Sequence, residues 1–155
     1  MLYIVTWNPR KFEKLKVFIP DSIELQQKDI DVVEIQSLSV DEVSKDKAIK
    51  SFEVLWAPVL VEDTAIYFNE YDWFPGPFAK QAYQSLWHKW MKRLLNDVED
   101  AGIKFRSVVS YMDHNLKEPV SFPWESLWMA DFSFTEAPVD LHVPYRSFFR
   151  PKWSD

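Results

Sequence analysis

The chain has 155 residues, of which 47% are hydrophobic and 17% aromatic, and its formal net charge is −6 at pH 7. This composition excludes a disordered protein, and the length predicts one domain with a substantial core over residues 1–155. The negative charge argues against nucleic acid as a partner, because non-specific binding to nucleic acid needs a basic face. The absence of cysteine excludes disulfides and thiolate metal sites.

Hydropathy and glycine content exclude further classes. No run approaches the roughly 18 consecutive apolar residues of a membrane span, and the first residues lack the basic segment and cleavage site of a signal peptide. We therefore expect a soluble, cytoplasmic protein with no membrane partner. Gly76 and Gly102 are the only glycines, which excludes a Walker A loop and a G-x-G-x-x-G fingerprint. Any phosphate site must therefore use side chains and helix termini.

The first third of the chain predicts strands followed by helices. Residues 2–6 are apolar and predict a strand, and Asn8 as N-cap with Pro9 after it predicts a helix to about residue 18. A strand, a tight turn and a helix form a natural anion site, because unpaired backbone N–H groups face the turn. A second strand is predicted at residues 32–35. Ser39 and Glu42 form a capping-box pattern that predicts a helix to about residue 56.

A buried strand carrying two acids is the most informative local feature. Residues 58–62 are largely apolar without alternation, which is typical of a strand buried on both faces. Glu62 and Asp63 follow at its predicted carboxyl end, and the carboxyl ends of strands open onto the ligand crevice in open α/β sheets. Adjacent strand residues point to opposite faces, so one acid should enter the site and the other support it. The alternative is a pair of solvated acids.

The rest of the chain continues the α/β pattern. A short strand is predicted at residues 66–68, and Pro77 suits the first position of a long helix to about residue 98, which places Lys80 in its first turn. Strands are predicted at residues 105–112 and 127–135, with an irregular tail from residue 137. The fold class predicted is α/β, with a mixed central β-sheet flanked by helices.

Four segments resemble the inosine triphosphate pyrophosphatase family, in the family's order. TWNPRK at residues 6–11 is similar to its T-x-N-x-x-K motif, and DIDVVEIQS at 29–37, PVLVEDTA at 58–65 and FPGPFAK at 74–80 match its next three motifs. The resemblance implies an elongated, two-lobed domain with a cleft between the lobes. It also implies Mg²⁺-dependent hydrolysis of deaminated purine nucleoside triphosphates to the monophosphate and pyrophosphate, by a homodimer.

The resemblance also implies roles for individual residues. Asp63 would be catalytic and would orient or deprotonate the attacking water, and Glu34 and Asp63, with Glu62 in support, would hold Mg²⁺. Lys45 is a rival to Lys47, and each lysine has the alternative of an ordinary solvated charge. Lys11 and Lys80 lie in predicted first helical turns, where a cation is unfavourable unless an anion is near. The residues implied to bind the triphosphate are Thr6, Asn8, Lys11, Lys47, Thr64 and Lys80.

The sequence also departs from the family. Trp7 stands where the family usually has glycine, so its ring could block the loop or stack on a base, and Lys14 stands where many members have glutamate. Past Lys80 the resemblance thins: residues 144–151 only faintly resemble the Trp-Asp-Pro segment, with Arg146 where the aspartate would fall, and the terminal Ser-His-Arg is absent. We expect a rebuilt or lost base-reading region. The candidates to replace it are Trp7, Phe148, Phe149 and Arg150.

The same sequence leaves other functions and other roles for its residues open. The same chemistry with a changed base preference, or a nucleotide-binding protein with little turnover, would fit the same motifs. The three histidines are isolated and have no metal-ligand spacing. The helical stripe of Trp87, Trp90, Met91 and Leu94 favours a core or a dimer interface over a base pocket.

Overall fold

The computed structural model describes residues 1–133 and 148–152. These residues form three helices and seven strands. The helices are α1 (Pro9–Lys16), α2 (Val40–Leu55) and α3 (Ala79–Leu95). The strands are β1 (Leu2–Val5), β2 (Leu25–Lys28), β3 (Val59–Phe68), β4 (Pro75–Gly76), β5 (Gly102–Met112), β6 (Val120–Ala130) and β7 (Phe149–Pro151).

The strands form one mixed sheet. Its order is β2-β1-β3-β5-β6-β7, and β4 pairs with β3. Strand β1 runs parallel to β2, with Leu2 opposite Leu25, and parallel to β3, with Tyr3 opposite Val59. Strands β4 and β7 are antiparallel to β3 and β6. The predicted α/β class with a mixed central sheet is confirmed.

The chain divides into two compact units, each assembled from two separate stretches. Unit 1 contains Met1–Asp63 and Ser107–Pro123, and unit 2 contains the described residues of Thr64–Arg106 and Trp124–Asp155. Strands β3, β5 and β6 each contribute residues to both units. The single domain, the elongated shape and the cleft remain predictions.

In unit 1, the two faces of β3 pack against different helices. Val59 and Val61 belong to a buried cluster with Ala48 and Phe52 of α2. Leu60, between them, belongs to a second cluster with side chains of α1. Because consecutive strand side chains alternate between faces, the acids that follow are directed in the same way, one toward each helix.

The core of unit 2 is aromatic. Phe68, Phe148 and Phe149 pack with Met91 and other buried residues of α3. Helix α3 is interrupted at Trp87, whose φ of 54° lies in the left-handed region. The predicted stripe on this helix is therefore divided. Met91 is fully buried and Leu94 is half-buried, whereas the rings of Trp87 and Trp90 are 53% and 50% exposed.

Two predictions in the first half of the chain were wrong. Residues 32–35 form no strand, and the second strand is β2, whose sequence LQQK has three polar residues and gives no hydrophobic signal. Glu62 and Asp63 do not end their strand, because β3 continues without a break to Phe68 and includes the predicted short strand. The acids instead lie just beyond the part of β3 that pairs with β1.

The second half of the chain required four corrections. Helix α3 begins at Ala79 and not at Pro77, because Pro75 and Gly76 pair with β3 as strand β4. Strand β5 begins three residues earlier than predicted, and β6 occupies Val120–Ala130 and not residues 127–135. Strand β7 lies within the predicted irregular tail. The prediction for residues 137–147 lies outside the described residues.

Candidate active site

Two consecutive acids of β3 contact two different lysines. The Glu62 carboxylate lies on the α1 side, with Oε2 2.6 Å from Nζ of Lys11. The Asp63 carboxylate lies on the α2 side, with Oδ1 3.1 Å from Nζ of Lys47. The two carboxylates are only 9% and 14% exposed. In unit 1 the structure therefore brings together both predicted acids and two of the three predicted phosphate-binding lysines.

The loop between β1 and α1 is fixed by its own side chains. Oδ1 of Asn8 accepts a hydrogen bond from the Arg10 N–H at 3.0 Å, which caps the helix as predicted. Oγ1 of Thr6 accepts from the Asn8 N–H at 3.1 Å. Both residues are buried, so each has a structural role in this loop. Between them, the ring of Trp7 is 48% exposed.

Lys11 and Gln27 make further contacts on the α1 side of β3. The Lys11 ammonium also donates to the backbone carbonyl of Glu62 at 3.1 Å, so it binds both the side chain and the main chain of that acid. Nε2 of Gln27 donates to the Thr6 carbonyl at 2.9 Å. Gln27 gives no signal in the sequence. It lies on β2, whose polar residues LQQK show no hydrophobic pattern that would predict a strand.

On the other face, Lys47 joins two carboxylates. Its Nζ donates to Oε1 of Glu34 at 2.7 Å and to Oδ1 of Asp63 at 3.1 Å. Glu34 lies on an irregular segment before α2, and Nζ of Lys50 donates to the Val33 carbonyl beside it at 2.6 Å. Two lysines of one helix therefore contact residues 33 and 34. Lys45, the rival to Lys47, is exposed.

The electrostatics of Asp63 and Lys47 differ from those of surface groups. Burial raises the pKa of Asp63, although the positive charge of Lys47 opposes this. Burial lowers the pKa of Lys47, but the Asp63 charge and the hydrogen bond to Glu34 more than offset it, and the net pKa is raised. Lys47 is therefore a firmly charged cation beside an acid that holds its proton more readily than usual.

Lys14 adds a further cation on the α1 side. Partial desolvation of its amine lowers its pKa, Glu62 opposes the shift and Lys11 adds to it. The i,i+3 spacing of Lys11 and Lys14 places both on one face of α1. In the sequence, Lys14 stands out only as a departure from the family. The same spacing would have identified it as a member of this cluster.

The residues around Lys47 fit a divalent cation. Glu34 and Asp63 already direct oxygens at one cation, and Oδ2 of Asp63 is buried without a hydrogen-bond partner. Mg²⁺ needs only one or two protein carboxylates, because phosphate and water oxygens complete its shell. In the described part of the chain no cluster of three or more His, Cys, Asp or Glu offers a metal site. The fit to a metal ion therefore rests on Glu34 and Asp63. Glu62, which was also predicted to support the metal, lies on the opposite face of β3 beside Lys11.

Three predicted site residues belong to unit 2. Thr64 follows Asp63 in β3, and Lys80 is an exposed residue in the first turn of α3, as predicted. Phe149 is 2% exposed and Phe148 is fully buried in the aromatic core. A contact between either ring and a nucleotide base would require that core to open. The buried positions of Phe148 and Phe149 therefore argue against the predicted base contacts.

Unit 2 also has an open pocket of about 710 Å³. Tyr67 and Trp73 contribute aromatic rings to it, and Lys104, Arg106 and Glu125 contribute charges. The Arg106 guanidinium lies 2.9 Å from Glu125 Oε1, so its charge is already paired. None of the residues predicted for the site lines this pocket.

Comparison with known proteins identifies the family. The Ham1 family profile matches residues 2–124 of this chain. The chain belongs to the Ham1 family.

Curated Ham1 relatives are longer than this chain. It is 35% identical over 118 residues to the inosine triphosphate pyrophosphatase of Ajellomyces capsulatus, covering 76% of this chain and 64% of that protein. It is 36% identical over 121 residues to the protein of that name from Phaeosphaeria nodorum, covering 78% of this chain and 64% of that protein. The chain thus spans slightly less than two thirds of these relatives.

Solved structures support the Ham1 fold. A nucleoside-triphosphatase, or dITP/XTP pyrophosphatase, from Mycobacterium abscessus matches with a TM-score of 0.73 at 16% identity, covering 99% of this chain and 85% of that chain. A HAM1 protein from Coxiella burnetii matches with a TM-score of 0.68 at 19% identity, covering 93% of this chain and 80% of that chain.

Within residues 1–133 and 148–152, no helix has the length and apolar character needed to cross a membrane.

Proposed function

We propose that this chain carries the catalytic site of a Mg²⁺-dependent nucleoside triphosphate pyrophosphatase that acts on deaminated purine nucleotides. The observation that carries the proposal is the pair of acid–lysine contacts on the two faces of β3. Glu62 holds Lys11, while Glu34 and Asp63 converge on Lys47. The names of the fungal relatives support the reaction and the substrate class.

The reaction adds one water across the anhydride bridge between the α and β phosphates. One phosphorus gains the water oxygen, the bridging oxygen leaves with the other phosphorus, and the products are a monophosphate and pyrophosphate. In our proposal Asp63 orients this water and accepts its proton. The raised pKa of Asp63 supports this role, because a carboxylate with a higher pKa is a stronger base.

The cations of unit 1 would bind the triphosphate. Lys11 is oriented by two contacts to Glu62, and Lys47 is oriented by Glu34 and Asp63. Once in contact with the phosphate oxygens, their charges would stabilise the negative charge that develops there. The N-terminus of α1, with its N–H groups ordered by Thr6 and Asn8, would contribute further.

Glu34 and Asp63 are the residues that would hold Mg²⁺. The ion, when bound, would neutralise phosphate charge and polarise the bond that breaks. We propose Glu62 as the residue that positions Lys11 and not as a ligand. The phosphate contacts of Thr64 and Lys80, the homodimer and the location in the cell remain predictions from the sequence.

One observation favours a second candidate, the same chemistry with a changed base preference. The half-exposed ring of Trp7 lies in the loop that begins α1, at the place where the family usually has glycine. An exposed indole offers a face on which a base can stack. A ring in this loop would favour bases by stacking more than by hydrogen bonds that distinguish deaminated purines.

A nucleotide panel tests the proposed function. The purified chain is incubated with ITP, XTP, dITP, ATP, GTP and CTP, with Mg²⁺ or with EDTA, and pyrophosphate and monophosphate are measured. We expect Mg²⁺-dependent release of both products, fastest with ITP and XTP. Fastest release from an amino-bearing base would favour the second candidate. Binding of ITP without turnover would indicate a nucleotide-binding protein and contradict the proposal.

The Asp63→Asn variant tests the assignment of the base. The amide keeps the shape but loses the negative charge, so we expect turnover to fall by at least about 10²-fold. Circular dichroism would confirm that the variant folds. Asp113→Asn is a matched control, because Asp113 is an aspartate of unit 1 whose carboxylate accepts hydrogen bonds from Tyr111 and from the Asn115 N–H. Near-normal turnover by Asp63→Asn would remove Asp63 from the mechanism.

A further inference from the structure

The Lys47 ammonium is the cation on which the two proposed metal ligands converge. Its Nζ lies 2.7 Å from Oε1 of Glu34 and 3.1 Å from Oδ1 of Asp63, and its side chain is only 16% exposed. A divalent ion that contacted the same two oxygens would have to come closer to each than the ammonium does. Two cations cannot share that space, so one must give way.

The balance of charge shows what the ammonium does there. Two carboxylates face a single lysine, and a second oxygen of Asp63 is buried without a hydrogen-bond partner. Without the lysine, two negative charges would lie close together with little solvent around Asp63. The ammonium therefore keeps the acids together in the folded protein, and it offsets part of the attraction that they exert on any other cation.

The side chain of Lys47 is able to move. A lysine carries its charge on a flexible four-carbon stem with three rotatable donors, and this lysine projects from the well-packed helix α2. A group more negative than the two carboxylates would draw the ammonium away from them. A polyphosphate is such a group, and its arrival would leave the oxygens of Glu34 and Asp63 open to a divalent cation.

We propose that Lys47 is an internal cation that makes the binding of polyphosphate and the binding of divalent metal depend on each other. The inference rests on the proposed function, which supplies both ligands. Without nucleotide, the ammonium competes with metal for the two carboxylates. With nucleotide, it moves to phosphate and the competition ends. Thermodynamic linkage requires the effect to be reciprocal, so metal must strengthen nucleotide binding by the same factor.

Lys50 provides the matched control. It lies three residues further along α2, donates to the Val33 carbonyl at 2.6 Å and pairs with Asp46 at 2.7 Å. It therefore holds the same irregular segment as Lys47, but its contacts are to Val33 and Asp46 and not to the two proposed ligands. If the lysines only held this segment in place, Lys50→Met should change Mn²⁺ binding as much as Lys47→Met does.

The experiment measures Mn²⁺ binding by electron paramagnetic resonance, without turnover. Wild type, Lys47→Met, Lys47→Arg and Lys50→Met are titrated alone and with a triphosphate whose α–β bridge is methylene. Alone, Lys47→Met should bind Mn²⁺ at least about tenfold more tightly than wild type. The analogue should then increase its affinity for Mn²⁺ by a factor at least about fivefold smaller than in wild type. Lys47→Arg keeps the positive charge and should bind Mn²⁺ alone no more tightly than wild type, and Lys50→Met should behave as wild type does.

The outcomes separate this inference from the proposed function. Without the analogue, Mn²⁺ binding by folded Lys47→Met that is unchanged or weaker than in wild type would overturn the inference, and so would the same gain in Lys50→Met. A wild type that shows the coupling but never hydrolyses a nucleotide would uphold the inference and overturn the function. Hydrolysis with no coupling between the ligands would uphold the function and overturn the inference.

Discussion

Neighbouring residues of β3 have separate tasks because a strand turns them to opposite faces. Glu62 is buried beside Lys11, while Asp63 is buried beside Lys47. Each acid compensates a lysine that would otherwise lose solvation without a partner. Two adjacent strand positions therefore organise two cationic groups, one on each helix, which gives both acids a role within a largely apolar strand.

The pair Lys11 and Lys14 leads to a prediction on phosphate recognition. Both amines lie near Glu62 on one face of α1. Replacing either with methionine removes one positive charge, and the lost attraction grows with the charge of the ligand. We expect each variant to weaken binding of an ITP analogue whose α–β bridge is methylene by about tenfold or more. Binding of IMP should weaken less, and binding of inosine should not change. Isothermal titration calorimetry with the three ligands measures this.

Lys16→Met is the control for this prediction. Lys16 is exposed and ends the same helix, so it should affect all three ligands little. Lys11→Met also leaves Glu62 buried without that partner, which will lower stability, so each titration must be made well below the unfolding temperature. If inosine and the triphosphate analogue lost affinity equally, these lysines would not contact phosphate.

Much of the site could be predicted from the sequence because its motifs are local. Asn8 caps α1 as its side chain and the following proline predict. The choice between Lys45 and Lys47 needed the structure, because it depends on the face that α2 buries. Val43, Ser44 and Ala48 are buried on that helix, which leaves Lys45 exposed and turns Lys47 toward Asp63.

At the scale of elements, the wrong predictions share a cause. Strand β2 is held by its parallel pairing with β1, and its polar side chains give no periodic signal. Strand β4 contains only Pro75 and Gly76, and its pairing with β3 moves the start of α3 to Ala79. Local propensity does not encode pairing with a distant strand. The helices depend more on local contacts, with side-chain caps on α1 and α2, and their bounds agree with the predictions to within a few residues.

The start of β5 gives a prediction on stability. A Cβ at Gly102 would lie 2.7 Å from Oδ1 of Asp100 and would overlap the Asn69 amide. That amide donates to Asp100 Oδ2 at 2.9 Å, and both groups end exposed side chains, so an added methyl group would displace them and disturb this contact. We expect Gly102→Ala to lower the free energy of unfolding by about 0.5–1.5 kcal/mol, the usual net contribution of one hydrogen bond. Urea unfolding followed by circular dichroism measures it.

A double-mutant cycle identifies the cause. Asn69→Ala removes the side chain that the new methyl group would strike, at the cost of one hydrogen bond. The loss in free energy of unfolding in the double variant Gly102→Ala with Asn69→Ala should therefore be smaller than the sum of the losses in the two single variants. Strict additivity would show that the loss in Gly102→Ala comes from the backbone and not from this overlap.

At the scale of the whole chain, stability should fall in acid. Three aspartates, one exposed and two half-buried, accept hydrogen bonds that lower their pKa below its usual value; they are Asp100, Asp113 and Asp131. The largest contributions come from the side chains of Asn69, Tyr111 and Ser133, and backbone N–H groups add to them. A depressed folded-state pKa adds stability above the unfolded value and loses it as the pH falls further. We expect the free energy of unfolding to decline as the pH drops below about 4.

The test compares wild type with the triple variant in which Asp100, Asp113 and Asp131 are asparagine. Unfolding in urea is measured from pH 7 to pH 3 for both. The triple variant keeps one oxygen acceptor at each position but cannot titrate there, so its stability should change less over the acid range. Parallel pH curves for the two proteins would show that other groups govern acid unfolding.

The interleaved chain has a consequence for inheritance. Each compact unit draws on two separate stretches, and three strands are shared out between the units. A single crossover between two related genes would therefore leave at least one unit assembled from two different parents. All three boundaries between the units fall inside strands. We expect natural variation here to accumulate by point substitution, since exchange of one unit as a cassette would need crossovers at all three boundaries.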